Sequence, residues 1–547
     1  MARRILIVGG VAGGASAAAR LRRLDEQARI IMFERGDYIS FANCGLPYSI
    51  GGTIKDRDDL LLATPESFKQ RFNVDVRVHS EVVKINPKKK QVHVVELTTG
   101  NTYLEEYDQL ILSPGAEPVV PLIPGVDSNR VFTLRNIADM DRISQFISTQ
   151  NPRKAVVVGA GYIGLEIAEN LRARGLSVEL VELLDQVMPA LDKEMAWFLH
   201  RHLSEHGVAV RLGDGVCSFH QAGSSLKVRL SSGGEMNCDF AMLTAGVRPE
   251  VKLAREAGLE IGEQGGIRVN EYLQTSDPDV YAIGDAIEVR DFVLGGATLI
   301  PLAGPANKQG RMAADNLCGR ERTYNGTQGT AILKLFDLTA AMTGASERAL
   351  AETNIEYEKV YLHPASHAGY YPGAEQMHIK LLFGKPNGKI LGVQIVGGDG
   401  VDKRIDVLAV AIRAGMTVFD LQELELAYAP PYGSGKDPVN IAGYAAANVL
   451  DGTVKVKHFD ELEEDDFVLD VRTPAEFAKG GLPNAKNISV NQLRDRLDEL
   501  PRDRTIHAYC AVGLRSYIAC RILEQNGFDA RNLSGGYTTY RTMTKTT

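Results

Sequence analysis

Two stretches decide the fold: Ile5-Leu-Ile-Val8-Gly9-Gly10-Val11-Ala12-Gly13-Gly14 and Ala155-Val-Val-Val158-Gly159-Ala-Gly161-Tyr-Ile-Gly164. In each, a short apolar run meets a glycine turn. A helix-forming segment follows, 15–24 in the first case and 165–174 in the second. A second apolar run comes next, 29–33 ending at Glu34 and 177–181 ending at Glu182. Short apolar runs bounded by glycine read as buried strands, so each stretch is a strand–turn–helix–strand unit. The pattern returns after 150 residues, and the chain carries two dinucleotide folds. The second has all three glycines of its turn, Gly159, Gly161 and Gly164. The first keeps Gly9 and Gly14 but has Val11 in the middle. The open helix N-terminus behind each turn suits a pyrophosphate, and Glu34 and Glu182 are placed for ribose hydroxyls. Residues 182–186 are acidic and lack arginine, which favours the free 2′-hydroxyl of NADH over the 2′-phosphate of NADPH.

Working outward, 547 residues at roughly 150 per domain imply three or four domains. With 44% apolar and 24% charged residues, the composition is that of a soluble globular protein. A net charge of −8 argues against a nucleic-acid binder that relies on bulk phosphate attraction. The chain has no run of 18 apolar residues, so no membrane insertion is expected. Arg3-Arg4, the 5–8 run and Ala17 to Ala19 imitate a secretory signal, but Gly9, Gly10, Gly13 and Gly14 break its apolar region. Six cysteines without C-x-x-C spacing make no disulfide scaffold and point to a reducing cytoplasm. Cys217, Cys238 and His220 read as buried small hydrophobes plus a surface histidine, so no metal is expected.

Between the repeats, 75–85 is expected to pair with 91–97 through a solvated tip, Asn86-Pro-Lys-Lys-Lys90. Beyond 326, strands 331–335, 378–383 and 390–396 precede helices near 402–414 and 439–449, an α+β module. Asp451-Gly452-Thr453 reads as a hinge to a separate α/β unit, with strands 468–470 and 506–509 and a helix near 516–526. The fold class is α/β, with two Rossmann-like domains, the α+β module and a small α/β domain.

The 275–285 segment ends a buried strand in Gly284-Asp285. With the first glycine turn, this resembles the flavin ribityl site of two-dinucleotide-domain flavoprotein reductases, and the resemblance implies FAD with Asp285 accepting hydrogen bonds from it. Ser40-Phe-Ala-Asn43-Cys44-Gly-Leu-Pro47-Tyr48 puts a cysteine at a helix start, where the dipole and open N–H groups favour a thiolate. Disulfide reductases that use a cysteine pair show C-x-x-x-x-C here. In this chain the fifth residue after Cys44 is Ser49, so Cys44 acts alone. A lone cysteine cycles through a sulfenic acid with peroxide or oxygen, or through a mixed disulfide with a small thiol. Peroxidase and oxidase relatives carry a histidine in the first glycine turn. Ala12 stands there in this chain, which favours the mixed disulfide.

That branch resembles the coenzyme A disulfide reductase family across residues 1–450. The resemblance implies that Ser16, Arg20 and Arg23, on one helix face, meet the CoA nucleotide end. It implies that Ser40 and Asn43 touch the pantetheine arm, and that Asn307 lies near substrate. Tyr370, Tyr428 and Lys436 would complete the partner's site, which implies a homodimer. Further cofactor contacts are implied at Arg35, Gly246, Ala303, Tyr162, Ile163 and Tyr428, with Glu166 near the nicotinamide. CoA is expected as substrate or as a tightly bound group. At the C-terminus, Leu469-Asp470-Val-Arg472-Thr-Pro-Ala-Glu476-Phe477 and Cys510-Ala-Val-Gly-Leu-Arg515-Ser resemble a rhodanese domain. The resemblance implies backbone N–H groups cradling a persulfide on Cys510, with Arg515 adding charge. Gly480-Gly-Leu-Pro-Asn-Ala485 lacks a histidine that rhodaneses often carry, and Cys520 is expected to be buried packing.

The expected domains are FAD-binding 1–117 and 246–325, NADH-binding 118–245, dimerisation 326–450 and rhodanese 458–547. The expected activity is NADH-dependent reduction of S–S bonds in CoA persulfide, polysulfide and CoA disulfide, releasing hydrogen sulfide with sulfur relayed from Cys510. The alternatives are a plain CoA-disulfide reductase with an accessory sulfurtransferase, and an NADH oxidase or peroxidase. The expected partners are small thiol and persulfide substrates and a second copy of the chain.

Overall fold

A computed structural model describes residues 2–544 in two compact units, residues up to 185 with 207–329, and 186–206 with 330–544. In the first unit, Arg4–Val8 lies at the centre of a five-stranded sheet between Gln109–Leu112 and Arg29–Phe33. Val280–Ala282 and Asp75–Arg77 form its edges, and all four pairings are parallel. Ile5, Leu6 and Ile7 are fully buried, because a parallel sheet covered on both faces needs apolar residues at successive positions. The second sheet repeats this plan around Lys154–Val158, flanked by Ser177–Val181 and Phe240–Leu243, again with parallel pairing.

The repeat extends to atomic packing. Gly9 (φ +96°) and Gly159 (φ +101°) end the two central strands, and a Cβ there would lie 2.0 Å from Ser113 O and 2.4 Å from Thr244 O. A Cβ on Gly14 would lie 1.9 Å from Gly9 O, and one on Gly164 2.0 Å from Gly159 O. Each helix therefore rests directly on its own turn, which only glycine permits. The helices are Ala12–Leu24 and Tyr162–Ala173. Each starts earlier than expected because the last residues of the turn already have helical backbone.

The 75–85 segment departs from expectation. Asp75–Arg77 extends the parallel sheet, while Ser80–Asn86 pairs antiparallel with Gln91–Glu96. The chain changes direction at His79, which takes a left-handed φ of +51°. Lys88 and Lys89 are exposed at the tip, as read. Cys217 is exposed rather than buried, because a register shift between Val216 and Ser218 turns it outward, while Cys238 is buried.

In the second unit, Ala331–Leu335, Leu338–Gly344, Ile390–Gly397, His378–Gly384 and Tyr357–Leu362 form an antiparallel sheet in that spatial order. Helices Val401–Arg413 and Pro438–Leu450 belong to the same unit. The segment 186–206, expected with the NADH-binding domain, falls in this unit. Its Asp192 and Glu194 pair with the fully buried Lys380, at 2.7 and 2.5 Å. A second sheet is parallel, in the order Val456–Lys457, Ala530–Leu533, Ile506–Tyr509, Phe467–Asp470, Lys486–Asn487.

The expected hinge at Asp451-Gly452-Thr453 is braced. Arg521 Nη1 donates to Thr453 O at 2.5 Å. Tyr361 N donates to Ser534 Oγ at 3.1 Å, and His363 Nε2 lies 2.9 Å from Thr539 Oγ1, both buried contacts. Residues 458–544 therefore sit against the antiparallel sheet within one compact unit. Among the described residues, no helix is long and apolar enough to cross a membrane.

Candidate functional site

The two glycine turns are built alike. Glu34 accepts hydrogen bonds from Gly10 N and Gly36 N, both at 2.9 Å. Glu182 accepts from Ala160 N at 2.7 Å and Leu184 N at 2.9 Å. Each carboxylate braces the turn beside it and keeps lone pairs for a ribose hydroxyl. Neither helix has a side-chain cap, so the amides of its first turn remain for an anion. A Cβ at Gly161 would meet nothing within 4 Å, which leaves room beside that helix end. Gly284 (φ +77°) donates its N–H to Gln309 Oε1 at 2.7 Å. Burial pushes the neighbouring Asp285 carboxyl up, and Arg135 pulls it down. Among the described residues Asp285 receives no hydrogen bond, so its oxygens suit hydroxyl donors. These features fit FAD at the first turn and NAD at the second.

Tyr162 and Ile163 open the second helix, Gly246 has φ +102°, and Ala303 opens the helix Ala303–Leu317. Arg35 instead makes a two-pronged pair with Glu250, both contacts at 3.0 Å.

Cys44 lies in a 3₁₀ turn, Asn43–Gly45, that leads into the helix Leu46–Gly51. Asn43 Oδ1 accepts from Cys44 N at 3.1 Å and lies 3.7 Å from Sγ. Ser40 takes a left-handed φ of +46° on the approach. Cys44 is exposed to solvent, yet the protein around it desolvates the sulfur and pushes the thiol up, with the charges of Glu166 and Asp285 adding to this. The helix is only six residues long and starts two residues later, so its dipole is weak at Sγ. Tyr48 Oη donates to Glu166 Oε1 at 3.3 Å. Burial raises Glu166 to about 7, the Tyr48 bond opposes this, and Glu169 adds to it. Sequence reading placed Glu166 near the nicotinamide but gave no sign of this link to the cysteine segment. All six cysteines are free, so Cys44 has no disulfide partner.

A cleft of about 350 Å³ collects Ser16, Arg23, Ser40, Phe68, Asn307 and Arg311. Ser16 Oγ donates to Asn307 Oδ1 at 2.5 Å. Arg20, expected beside Arg23, does not line this cleft. Its Nε and Nη2 bind Asp315 Oδ1 at 2.9 and 2.7 Å, which fastens two helices together. Arg311 supplies the second cleft arginine, and sequence reading missed it. The available signal was its position one helical turn after Asn307. In the second unit, Tyr370 and Tyr428 are exposed with their hydroxyls 2.8 Å apart, and Lys436 is exposed.

Cys510 is fully buried. Gly513 N donates to its Sγ at 3.1 Å, and Ser516 Oγ donates at 3.5 Å. Arg515 is held by Glu476 at 2.6 and 2.8 Å, a pairing that lowers the Glu476 carboxyl to about 2. The sequence marked Glu476 within a motif without giving it this role, and Ser516 was not singled out. Asp470 and Arg472 form a buried ion pair at 2.5 Å. Cys520 is buried as expected, and burial pushes its thiol up.

Residues 3–310 match the pyridine nucleotide-disulphide oxidoreductase family, 330–436 its dimerisation domain, and 456–542 the rhodanese-like domain. A coenzyme A disulfide reductase of Staphylococcus haemolyticus is 39% identical over 448 residues, covering 82% of this chain and 100% of the relative. The crystal structure of reduced Bacillus anthracis CoADR-RHD has a TM-score of 0.97 at 52% identity, covering 99% of this chain and 98% of that one. A NAD-dependent persulfide reductase from A. fulgidus has a TM-score of 0.93 at 38% identity, covering 98% of this chain and 100% of that one.

Proposed function

Because the chain belongs to the pyridine nucleotide-disulphide oxidoreductase family, we propose that it is a NADH-dependent reductase of CoA persulfide, polysulfide and CoA disulfide, working as a homodimer in a reducing cytoplasm. The observation that carries this reading is a single Cys44 without a second thiol, close enough to Asp285 and Glu166 to feel both charges. FAD, held by the first glycine turn and Asp285, supplies the two-electron link between NADH and sulfur.

The protein's part is positioning and proton handling. Arg23 and Arg311 bind the phosphates of the CoA nucleotide end, while Ser40 and Asn43 guide the pantetheine arm to Cys44. The Cys44 thiolate attacks the CoA-side sulfur of CoA–S–SH, forms a mixed disulfide with CoA, and releases hydrogen sulfide. The electron pair from NADH then cleaves that disulfide and restores the Cys44 thiolate and CoA thiol. The balance is NADH + H⁺ + CoA–S–SH → NAD⁺ + CoA–SH + H₂S. Glu166, raised to about 7, is matched to proton exchange near neutral pH. Tyr370, Tyr428 and Lys436 complete the site of the partner copy. Cys510 accepts sulfane sulfur within its N–H cradle and passes it to CoA.

One observation favours a second reading, a CoA-disulfide reductase with an accessory sulfurtransferase: Cys510 is sealed from solvent. The Cys44→Ser protein should lose NADH-coupled sulfide release altogether. The Cys510→Ser protein should keep CoA-disulfide turnover and lose activity with inorganic polysulfide. Full polysulfide activity in that variant would remove the relay, and turnover of CoA disulfide without turnover of CoA persulfide in the parent would decide for the second reading.

A further inference from the structure

His202 lies in the last turn of the helix Lys193–Glu205 and His206 caps its C-terminal end, with the two ring centroids 4.3 Å apart. Asp337 faces them from the turn between Ala331–Leu335 and Leu338–Gly344, where Phe336 reverses the chain with φ +57°. Asp337 Oδ1 lies 2.7 Å from His202 Nε2 and 3.7 Å from His206 Nε2. Two ligands of one tetrahedral zinc ion sit roughly 3.3 Å apart, between these two distances.

The rings are oriented like ligands. His206 Nδ1 is 2.9 Å from the His202 carbonyl, which can only accept, so Nδ1 carries a proton and Nε2 is the ring atom that faces Asp337. Phe336 stacks on His206 at 4.1 Å and 8°, which fixes the plane of that ring. His202 Nε2 is buried and very near Asp337, yet it makes no hydrogen bond of acceptable geometry. Its Nδ1 faces Glu205 at 3.8 Å.

We propose that His202, His206 and Asp337, whose ligand atoms all lie within 4.8 Å of one another, bind one zinc-class divalent ion that ties the helix end to the strand turn. No metal was expected from the sequence, because Asp337 is remote in sequence from the two histidines. Two imidazoles and one carboxylate suit a borderline ion such as Zn²⁺ and leave a coordination position for water. This site is separate from the proposed redox chemistry and does not rest on it.

The test uses the flavin-loaded full chain, stripped with a chelator and titrated with Zn²⁺ alone. The expected result is one ion per chain, with a zinc K-edge absorption spectrum showing two imidazoles, oxygen and no sulfur. His206→Asn and Asp337→Asn should each weaken binding tenfold or more and abolish the rise in Tm that zinc produces. Asp337 is 82% exposed, so its substitution leaves the fold intact. His220→Asn, elsewhere on the surface, should bind as the parent does. Sulfur in the zinc shell, unchanged affinity in Asp337→Asn, or no uptake of zinc would each overturn the proposal.

Discussion

Arg20 and Arg23 show how far single residues can be read. Both sit on the helix face that the 3.6-residue period predicts, and their charge made them equal candidates for binding phosphate. The structure separates them, because Asp315 on another helix captures Arg20. That partner lies 295 residues away in sequence, beyond the reach of any local pattern. Arg23 and Arg311 remain at the cleft. Truncating either to alanine should raise KM for CoA disulfide about tenfold or more, the worth of a charge-assisted bond, with little change in kcat. A disulfide without the nucleotide phosphates should be unaffected, so parallel steady-state assays on the two substrates check the assignment. Glu182 belongs to the same scale. It braces the Gly159 turn beside a loop without arginine, so kcat/KM should favour NADH over NADPH. A tenfold preference for NADPH would remove that assignment.

Strands and helices were more legible than side-chain partners. The two central strands and their helices follow from apolar runs and glycine spacing, because both signals are local. The 75–85 stretch was misread because a break at His79 leaves no glycine or proline in the sequence. Segment 186–206 packs with the second unit because its attachment depends on a buried cation far along the chain. Lys380 is fully buried and bonded to Asp192, Glu194 and Glu347. Lys380→Met should destabilise the protein by about 3–5 kcal/mol at pH 7, since three carboxylates lose their shared cation. In the parent, the Glu347 carboxyl is held near 2, below its unfolded range, so its contribution is present above about pH 4.5 and fades as pH falls toward 2. Denaturant unfolding of parent and variant should therefore differ less at pH 3 than at pH 7.

At the scale of the whole molecule, domain order was legible and domain attachment was not. Glycine and polar residues at 451–453 look like a linker, but the contacts that hold 458–544 in place are the bond from Tyr361 N to the Ser534 hydroxyl and the one between the His363 and Thr539 side chains. His363 also lies 2.8 Å from His378 through their Nδ1 atoms. Burial lowers both histidines, with the neighbouring His378 adding to the effect on His363, and Arg201 helping to bring His378 to about 4. The unfolded chain therefore binds protons that the native seat refuses. Stability is complete above about pH 6.5 and falls as pH drops toward 4. Thermal unfolding should show this decline, and His378→Asn should flatten it.

Since Glu34 and Glu182 already clasp the amides of Gly10 and Ala160, both nucleotide berths are shaped by the polypeptide itself. An apoprotein prepared by gentle flavin extraction should keep its native circular dichroism and regain colour on simple remixing, without passing through an unfolded state.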